Sequence, residues 1–590
     1  MRLVLSMPLS RSLWIILGAT SIVFHIALIF SGLVPNLVSR PLHMALALPW
    51  IFIFAAQSTA GRASGALLAA VGVACCLYIV VNQSALSDQY GYLSGSLQTA
   101  VAITLLLIVL EMARRAISWP LPLVAALALV YGIWGQHLPG EFGHPGLPLQ
   151  SFLGTLTIAE GGIWGKLTGI SVSIVAIFVI FGAVLNAGEA GQGFMNLATA
   201  AAGRLKGGAA KVSVLSSALF GSISGSASAN VASTGAITMP AMTRLGYPKR
   251  LAGAVEAVAS SGGQIMPPLM GAGAFVMVEL TGVPYTGIMA AALLPALLYF
   301  ITVWAGINAY ARRYDLGALG KDDQPNFRVV VITTLFFLVP FAILLERMLV
   351  GGYTPQYAAC VAIVSAFVLL SFDKRLSFSL HRTLKRLENA CINSGTQIAT
   401  IASIILCASI VIGVLAQTGL GIKITSLIIS VSGDQLWPAL LLTALACLLL
   451  GMEVPTTAAY IICVSVAGPA LQNLGLDLLT THLFVFWFAL LSTITPPVCG
   501  AVFIAAGMVN ENWLKVAVSA MALGIGLYLV PLGMVANPDL IALEHAPGKA
   551  LLAATKIGFS LSAISYGVIA PLATWIRFLL IGCGFLLLLT

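Results

Sequence analysis

Long apolar runs alternate with short polar interruptions along nearly the whole chain. Ser12–Leu33, Pro41–Ala56, Ala63–Val81 and Leu97–Ala113 predict four helices near membrane length. Further crossings are predicted from Trp119–Trp134, Ser171–Leu185 and Leu251–Leu280 through to a final pair, Ala550–Ala563 and Ile569–Leu589. Two stretches break this rhythm. Phe220–Pro268 starts apolar and then runs into Gly, Ser, Ala, Asn and Thr, ending in Gly262-Gly263-Gln264 and Pro267-Pro268. Small residues let backbones approach closely, and each Pro removes a backbone donor and frees a carbonyl of the preceding turn. Exposed backbone at membrane depth is tolerated only inside protein or along a cavity. Gly221–Gly235 therefore predicts a re-entrant helical hairpin with a polar tip, and Gln264–Pro268 a helix broken in mid-span.

The pattern recurs. Gly451–Ala458 is a second small, polar interruption, and Ser492–Pro497 carries a second Pro-Pro pair. Gly246 and Gly475, Pro267 and Pro496, and Tyr299 and Tyr528 all lie 229 residues apart (528 − 299). Two interrupted hydrophobic segments at matching places in two halves are the sequence mark of a transporter site near the bilayer midplane. Helix parity and the basic loops bring the first hairpin in from the cytoplasm and the second from the periplasm, so the repeats are expected to be inverted.

Composition narrows the class. Of 590 residues, 59% are hydrophobic and only 8% charged, which defines an integral membrane protein. The net charge of +9 sits in short loops and not in an aromatic-interleaved basic tract, so nucleic acid is not an expected partner. Arg2, Arg11, Arg62, Arg114 and Arg115 place the N-terminus in the cytoplasm by the positive-inside rule, with Arg40 against it. Asp373–Asn389 is basic and amphipathic and is expected to lie along the cytoplasmic headgroups. P-loop, HExxH and Cys/His patterns are missing, which argues against a membrane enzyme. A channel needs only one open path and no inverted pair of breaks.

GSISGSASANVASTGAITMPAMTRLGYP and AGAVEAVASSGGQIMPPLMGAGAF closely resemble the large permease subunit of TRAP (tripartite ATP-independent periplasmic) transporters. GMEVPTTAAYIICVSVAGPAL and HLFVFWFALLSTITPPV resemble its second half, in the style of the fused permeases that serve TAXI-type binding proteins. The resemblance covers roughly 120–540. At the second hairpin tip it leads one to expect Gly where this chain has Glu453. It implies an all-α polytopic membrane protein, an inverted-repeat elevator-type transporter with two re-entrant hairpins and two broken helices. The expected organisation is a small-subunit-like scaffold (1–115), a first repeat (116–320), a scaffold helix pair with an amphipathic linker (321–390), a second repeat (391–545) and C-terminal helices (546–590). The implied activity is import of a small carboxylate across the bacterial inner membrane, driven by Na⁺ and dependent on a periplasmic TAXI-type protein.

Hairpin paired with break implies two Na⁺ sites. Sodium is a hard cation that takes several oxygen ligands, here carbonyls freed at the tips helped by hydroxyls. The candidates are Ser222, Ser224, Ser260, Ser261 and Gly262 in the first half, and Gly451, Thr456, Ser492 and Thr493 in the second. An anionic substrate suits the half-helix N-termini between the tips, with Ser226, Asn230, Gln264, Thr457 and Thr495 as its nearest polar side chains. Glu256, two turns before the first break, has two readings. It is a proton-coupling carboxylate, or a structural acid paired with Lys249, Arg250 or a hairpin amide.

Overall fold

The computed structural model describes residues 8–320, 323–451, 454–497 and 499–590, and these form helices with no β-strand longer than an isolated bridge. Ten described helices are long and apolar enough to cross a membrane, and shorter apolar helices fill in between them. The protein is an all-α polytopic membrane protein, as the apolar rhythm predicts.

The first four helices are Pro8–Phe30, Asn36–Pro49 (continued by a π turn, Trp50–Phe54), Thr59–Val81 and Gly95–Ile117. The first, second and fourth pack against a 39-residue helix, Leu380–Thr418, about 58 Å long at 1.5 Å per residue, and the third packs on the second and fourth. That helix corrects the expectation for 373–389. The basic segment from Leu380 onward is not a separate headgroup-bound helix but the first turns of the crossing, and the 390/391 boundary falls inside it. Nothing between Leu387 and Ile398 stops a helix except Gly395, and packing carries it through. Its charges are used internally: Arg386 bonds Glu189, Glu388 bonds Arg11, and Arg382 pairs with Asp373 at 2.9 Å.

Glycines set how closely these helices dock. A Cβ on Gly395 would stand 2.3 Å from the buried Trp50 ring, and one on Gly18 2.4 Å from the Cys391 carbonyl oxygen. Polar pins complete the joint. His25 and His43, both fully buried, bond each other at 2.8 Å, and His43 reaches Ser171 of the helical span Lys166–Ala187 at 3.0 Å. Arg40 accounts for its conflict with the loop-charge pattern. It is buried, pairs with Glu160 at 3.3 Å and donates to the Trp164 carbonyl, so it is a packing group and not a loop cation.

Phe327–Leu349 and Pro355–Leu369 form the expected pair, packed on Ala190–Ala202 and Ala176–Ala187. Of the two C-terminal helices, Pro547–Ile569 docks on Tyr285–Arg313, where Ser565 donates to the Thr302 carbonyl at 3.3 Å, and Thr574–Leu589 packs in turn on Pro547–Ile569. The close Trp50 contact carries a test. Gly395→Val must displace the ring, an overpacking cost of about 1–3 kcal/mol. It should lower the thermal midpoint of the purified protein in detergent, whereas Gly582→Ala, with open space around it, should not.

Candidate functional site

The first hairpin runs up Gly208–Ser224 and back down Ala227–Arg244. Gly225 turns the tip at φ +60°, a left-handed conformation that suits Gly. Ser226 caps the returning arm, its hydroxyl accepting from the Ala229 N–H at 3.3 Å. The second hairpin comprises Leu436–Gly451 and Thr456–Asn473; Glu453 lies outside the described residues. Each is followed by a helix that stops and restarts. Lys249–Gly262 ends in a 3₁₀ turn, Gly263–Ile265, before Ala272–Thr281. Leu478–Leu491 stops before Gly500–Val509. The paired Gly246 and Gly475 both take positive φ, +84° and +94°, so the repeat in the sequence is a repeat in backbone shape.

Each hairpin meets its own break through glycine. A Cβ on Gly221 would stand 2.4 Å from the Gly263 Cα, and one on Gly451 would stand 2.8 Å from Ser492 Oγ. The breaks meet each other through a hydrogen bond of 2.8 Å between the Ser261 and Thr493 hydroxyls. The halves also exchange partners. Ala227–Arg244 packs on Gly500–Val509, and Ala272–Thr281 packs on Thr456–Asn473.

Both tips and both breaks face one cavity of about 930 Å³. Of the residues singled out for substrate, Ser226, Gln264 and Thr457 line it; of those for cations, Ser224, Gly451, Thr456, Ser492 and Thr493 do. Among the described residues no Asp, Glu, Lys or Arg lines it. The other candidates are placed elsewhere. Asn230 is fully buried behind the tip and donates to the Ser217 carbonyl at 2.9 Å, tying the hairpin arms together. Thr495 turns to the Tyr528 hydroxyl at 2.6 Å. Ser222 bonds its own helix at the Leu219 carbonyl, Ser260 bonds Glu256, and Gly262 makes room for the Tyr299 ring. Ser261 faces Thr493 and not the cavity.

Glu256 is fully buried and lines no part of the cavity. Its partners are hydroxyls, not Lys249, Arg250 or an amide. It accepts from Ser213 at 2.7 Å, Ser217 at 3.1 Å, Ser260 at 3.2 Å, and from Thr234 and Thr238. Gly235 permits the approach, since a Cβ there would stand 2.9 Å from Glu256 Cγ. Four of the five donors lie on the hairpin arms, so the carboxyl group clamps the hairpin to the helix that breaks.

The opposite wall of the cavity was not anticipated. Asn393, Thr396, Gln397 and Thr400 of the long helix line it, with Asn186. Their 3–4 spacing puts them on one helix face, a polar stripe most of which falls between the basic stretch that ends at Asn389 and the apolar run that follows.

Paired hairpins and broken helices around one cavity, with no charged side chain among its described lining, define the permease of a transporter, not an enzyme. The chain belongs to the DctM component family of tripartite ATP-independent periplasmic transporters, whose family model matches residues 104–548. It is 27% identical to the C4-dicarboxylate TRAP transporter large permease protein DctM of Pseudomonas aeruginosa, over 65% of this chain and 86% of that protein. It is 24% identical to the isethionate TRAP transporter permease protein DctMQ of Oleidesulfovibrio alaskensis (63% and 58% covered). It is 22% identical to the sialic acid TRAP transporter permease protein SiaT of Haemophilus influenzae (60% and 56%).

The hydroxyl cage makes a checkable demand. Glu256→Leu strands the hydroxyls of Ser213 and Ser260, which have no other partner among the described residues, at about 1–3 kcal/mol each. Thermal unfolding should show a clear loss for Glu256→Leu and a smaller one for Glu256→Gln, which keeps an acceptor oxygen. A Leu variant as stable as the parent would mean the cage is not a clamp.

Proposed function

We propose that this permease imports a small organic acid across the inner membrane with Na⁺, fed by a periplasmic TAXI-type binding protein, and that the N-terminus is cytoplasmic. The observation that carries the reading is the single cavity between two tips and two breaks with no charged side chain among its described lining. An anion there has to be held by helix N-termini, hydroxyls, an amide and co-bound cations. The returning arms start at Ala227 and Thr456, and a helix N-terminus carries roughly half a positive charge. Ser226, Thr457 and Gln264 supply the hydrogen bonds. The names of the three relatives point to the same substrate class.

Sodium suits the oxygen set at each tip. Ser224 Oγ is buried without a hydrogen-bond partner, and an ion would satisfy it. Ser492 and Thr493 donate to the carbonyls of Ala489 and Leu490, which leaves their lone pairs for a cation beside Thr456 and the Gly451 carbonyl. Of the first-half candidates Ser224, with tip carbonyls, is the one that lines the cavity, and Ser222, Ser260, Ser261 and Gly262 do not. Proton coupling through Glu256 would have to reach a carboxyl group sealed from the cavity.

Movement follows from the division of the molecule. Hairpins and broken helices form one interlocked unit, while the first four helices, the long helix and the pair 327–369 form the scaffold. An elevator motion carries the unit past the scaffold and exposes the cavity to each side in turn.

Proteoliposomes given the binding protein and a Na⁺ gradient should accumulate solute. Omitting the binding protein, or replacing Na⁺ with choline under a pH gradient, should leave little uptake. Full uptake without the protein, or uptake driven by the pH gradient alone, would overturn the reading. Gln264→Ala and Thr457→Ala should each raise half-saturation roughly ten- to hundredfold, the loss of one hydrogen bond to a charged ligand. Thr495→Ala acts only through Tyr528 and should do less, and Thr20→Ala in the first helix should do nothing.

A further inference from the structure

The cavity is far larger than a small organic acid needs, and its polar groups fall on two facing walls. One wall is the tips and breaks. The other belongs to the scaffold: Asn393, Thr396, Gln397 and Thr400 on the long helix, and Asn186 at the end of Ala176–Ala187. The helix is held to the first four helices by Arg11–Glu388 and by the Trp50 and Cys391 contacts, so this wall does not travel with the tips. The stripe spans eight residues, about 10 Å along the axis. Thr396 and Thr400 spend their protons on their own helix, at 2.8 and 2.9 Å, so the donors facing the cavity are the carboxamides. Asn393 and Gln397 are exposed to the cavity and bond nothing among the described residues, and Asn186 Oδ1 is buried without a partner.

The direction of the stripe matters. The cavity lining reaches Ile117, next to Arg114 and Arg115, and Asn393, two turns from Arg386. It includes none of Asn36, Arg40, Glu160, Lys166 and Glu279, which sit together at the other end. The stripe therefore leads from the tips to the basic face, the cytoplasmic one under the positive-inside rule.

We infer that Asn393 and Gln397 form a second anion subsite on the scaffold, which takes the substrate's acid group as it leaves the hairpin tips toward the basic face. This rests on the organic-acid reading above and adds an ordered exit to it. Neutral carboxamides suit the task because they bind a carboxylate or sulfonate by hydrogen bonds yet carry no charge that would retain it.

The test uses full-length permease in oriented proteoliposomes with its binding protein, and radiolabelled succinate, isethionate and sialic acid as probes. Gln397→Leu and Asn393→Leu should lower the maximal uptake rate about five- to tenfold while half-saturation on the binding-protein side moves less than about twofold. Half-saturation for efflux of preloaded solute from the basic face should rise about tenfold, the lower end for one hydrogen bond to a charged group. Gln397→Asn, which keeps a carboxamide, should recover most of the rate, and serves if a Leu variant fails to insert. Equal shifts on both sides, or none on either, would overturn the subsite. If the parent carries none of the three probes, the organic-acid reading fails and the subsite falls with it.

Discussion

A helix that breaks in mid-membrane leaves N–H and C=O groups without partners, and hydrocarbon offers none; each stranded group costs several kcal/mol. This protein has four such interruptions, and all four come together. Gly221 lies on Gly263 and Gly451 on Ser492, so each hairpin covers its own break, and Ser261 bonds Thr493 so that the breaks cover each other. The cavity is the space left where the interruptions converge. Because the freed backbone groups have to line it, they also become its binding equipment. Fold and function share a single requirement here: irregular backbone at depth must be enclosed, and enclosure by two repeats produces one site.

The scaffold answers a different need. The proposed motion requires a surface that stays put, and the 39-residue helix, clamped by ion pairs at its start and by close glycine contacts along its length, is built to supply one. The buried His25–His43–Ser171 chain joins the first four helices to the family-matched region, and the Arg40–Glu160 pair does the same nearby. The histidines are hydrogen-bonded groups deep in apolar surroundings, where slippage would strand them.

The hairpins, the breaks and their repetition were legible in the sequence because Gly, Ser and Pro inside apolar runs have few other uses. The polar side chains at the tips that line the cavity (Ser224, Ser226, Thr456, Thr457) were legible for the same reason. What could not be read was phase. Around a break the helical period is interrupted, so counting residues does not say which hydroxyl faces inward; Thr495 turned to Tyr528, which arrives from a helix 33 residues on (528 − 495). Asn230 and Ser260 are polar residues near the tip that the interior claimed, one to tie the arms and one to bond Glu256. The partners of Glu256 were hidden because charge suggests charge, whereas hairpin hydroxyls brought within reach by Gly235 solvate it instead. The length of the central helix was missed because amphipathic and apolar stretches look like two elements until packing on both sides makes them one.

The central claim is that the hairpin–break unit moves against a fixed scaffold. Lys166, at the start of a span that packs on the long helix, and Glu279 on the first broken helix lie 3.8 Å apart, outside the cavity lining. Cysteines at these two positions, with the exposed Cys583 replaced by Ser, can be joined by a short bifunctional thiol reagent. The account predicts that cross-linking abolishes binding-protein-dependent uptake, and that a cleavable reagent restores it on reduction. Full uptake through a permease shown to be quantitatively cross-linked would contradict it.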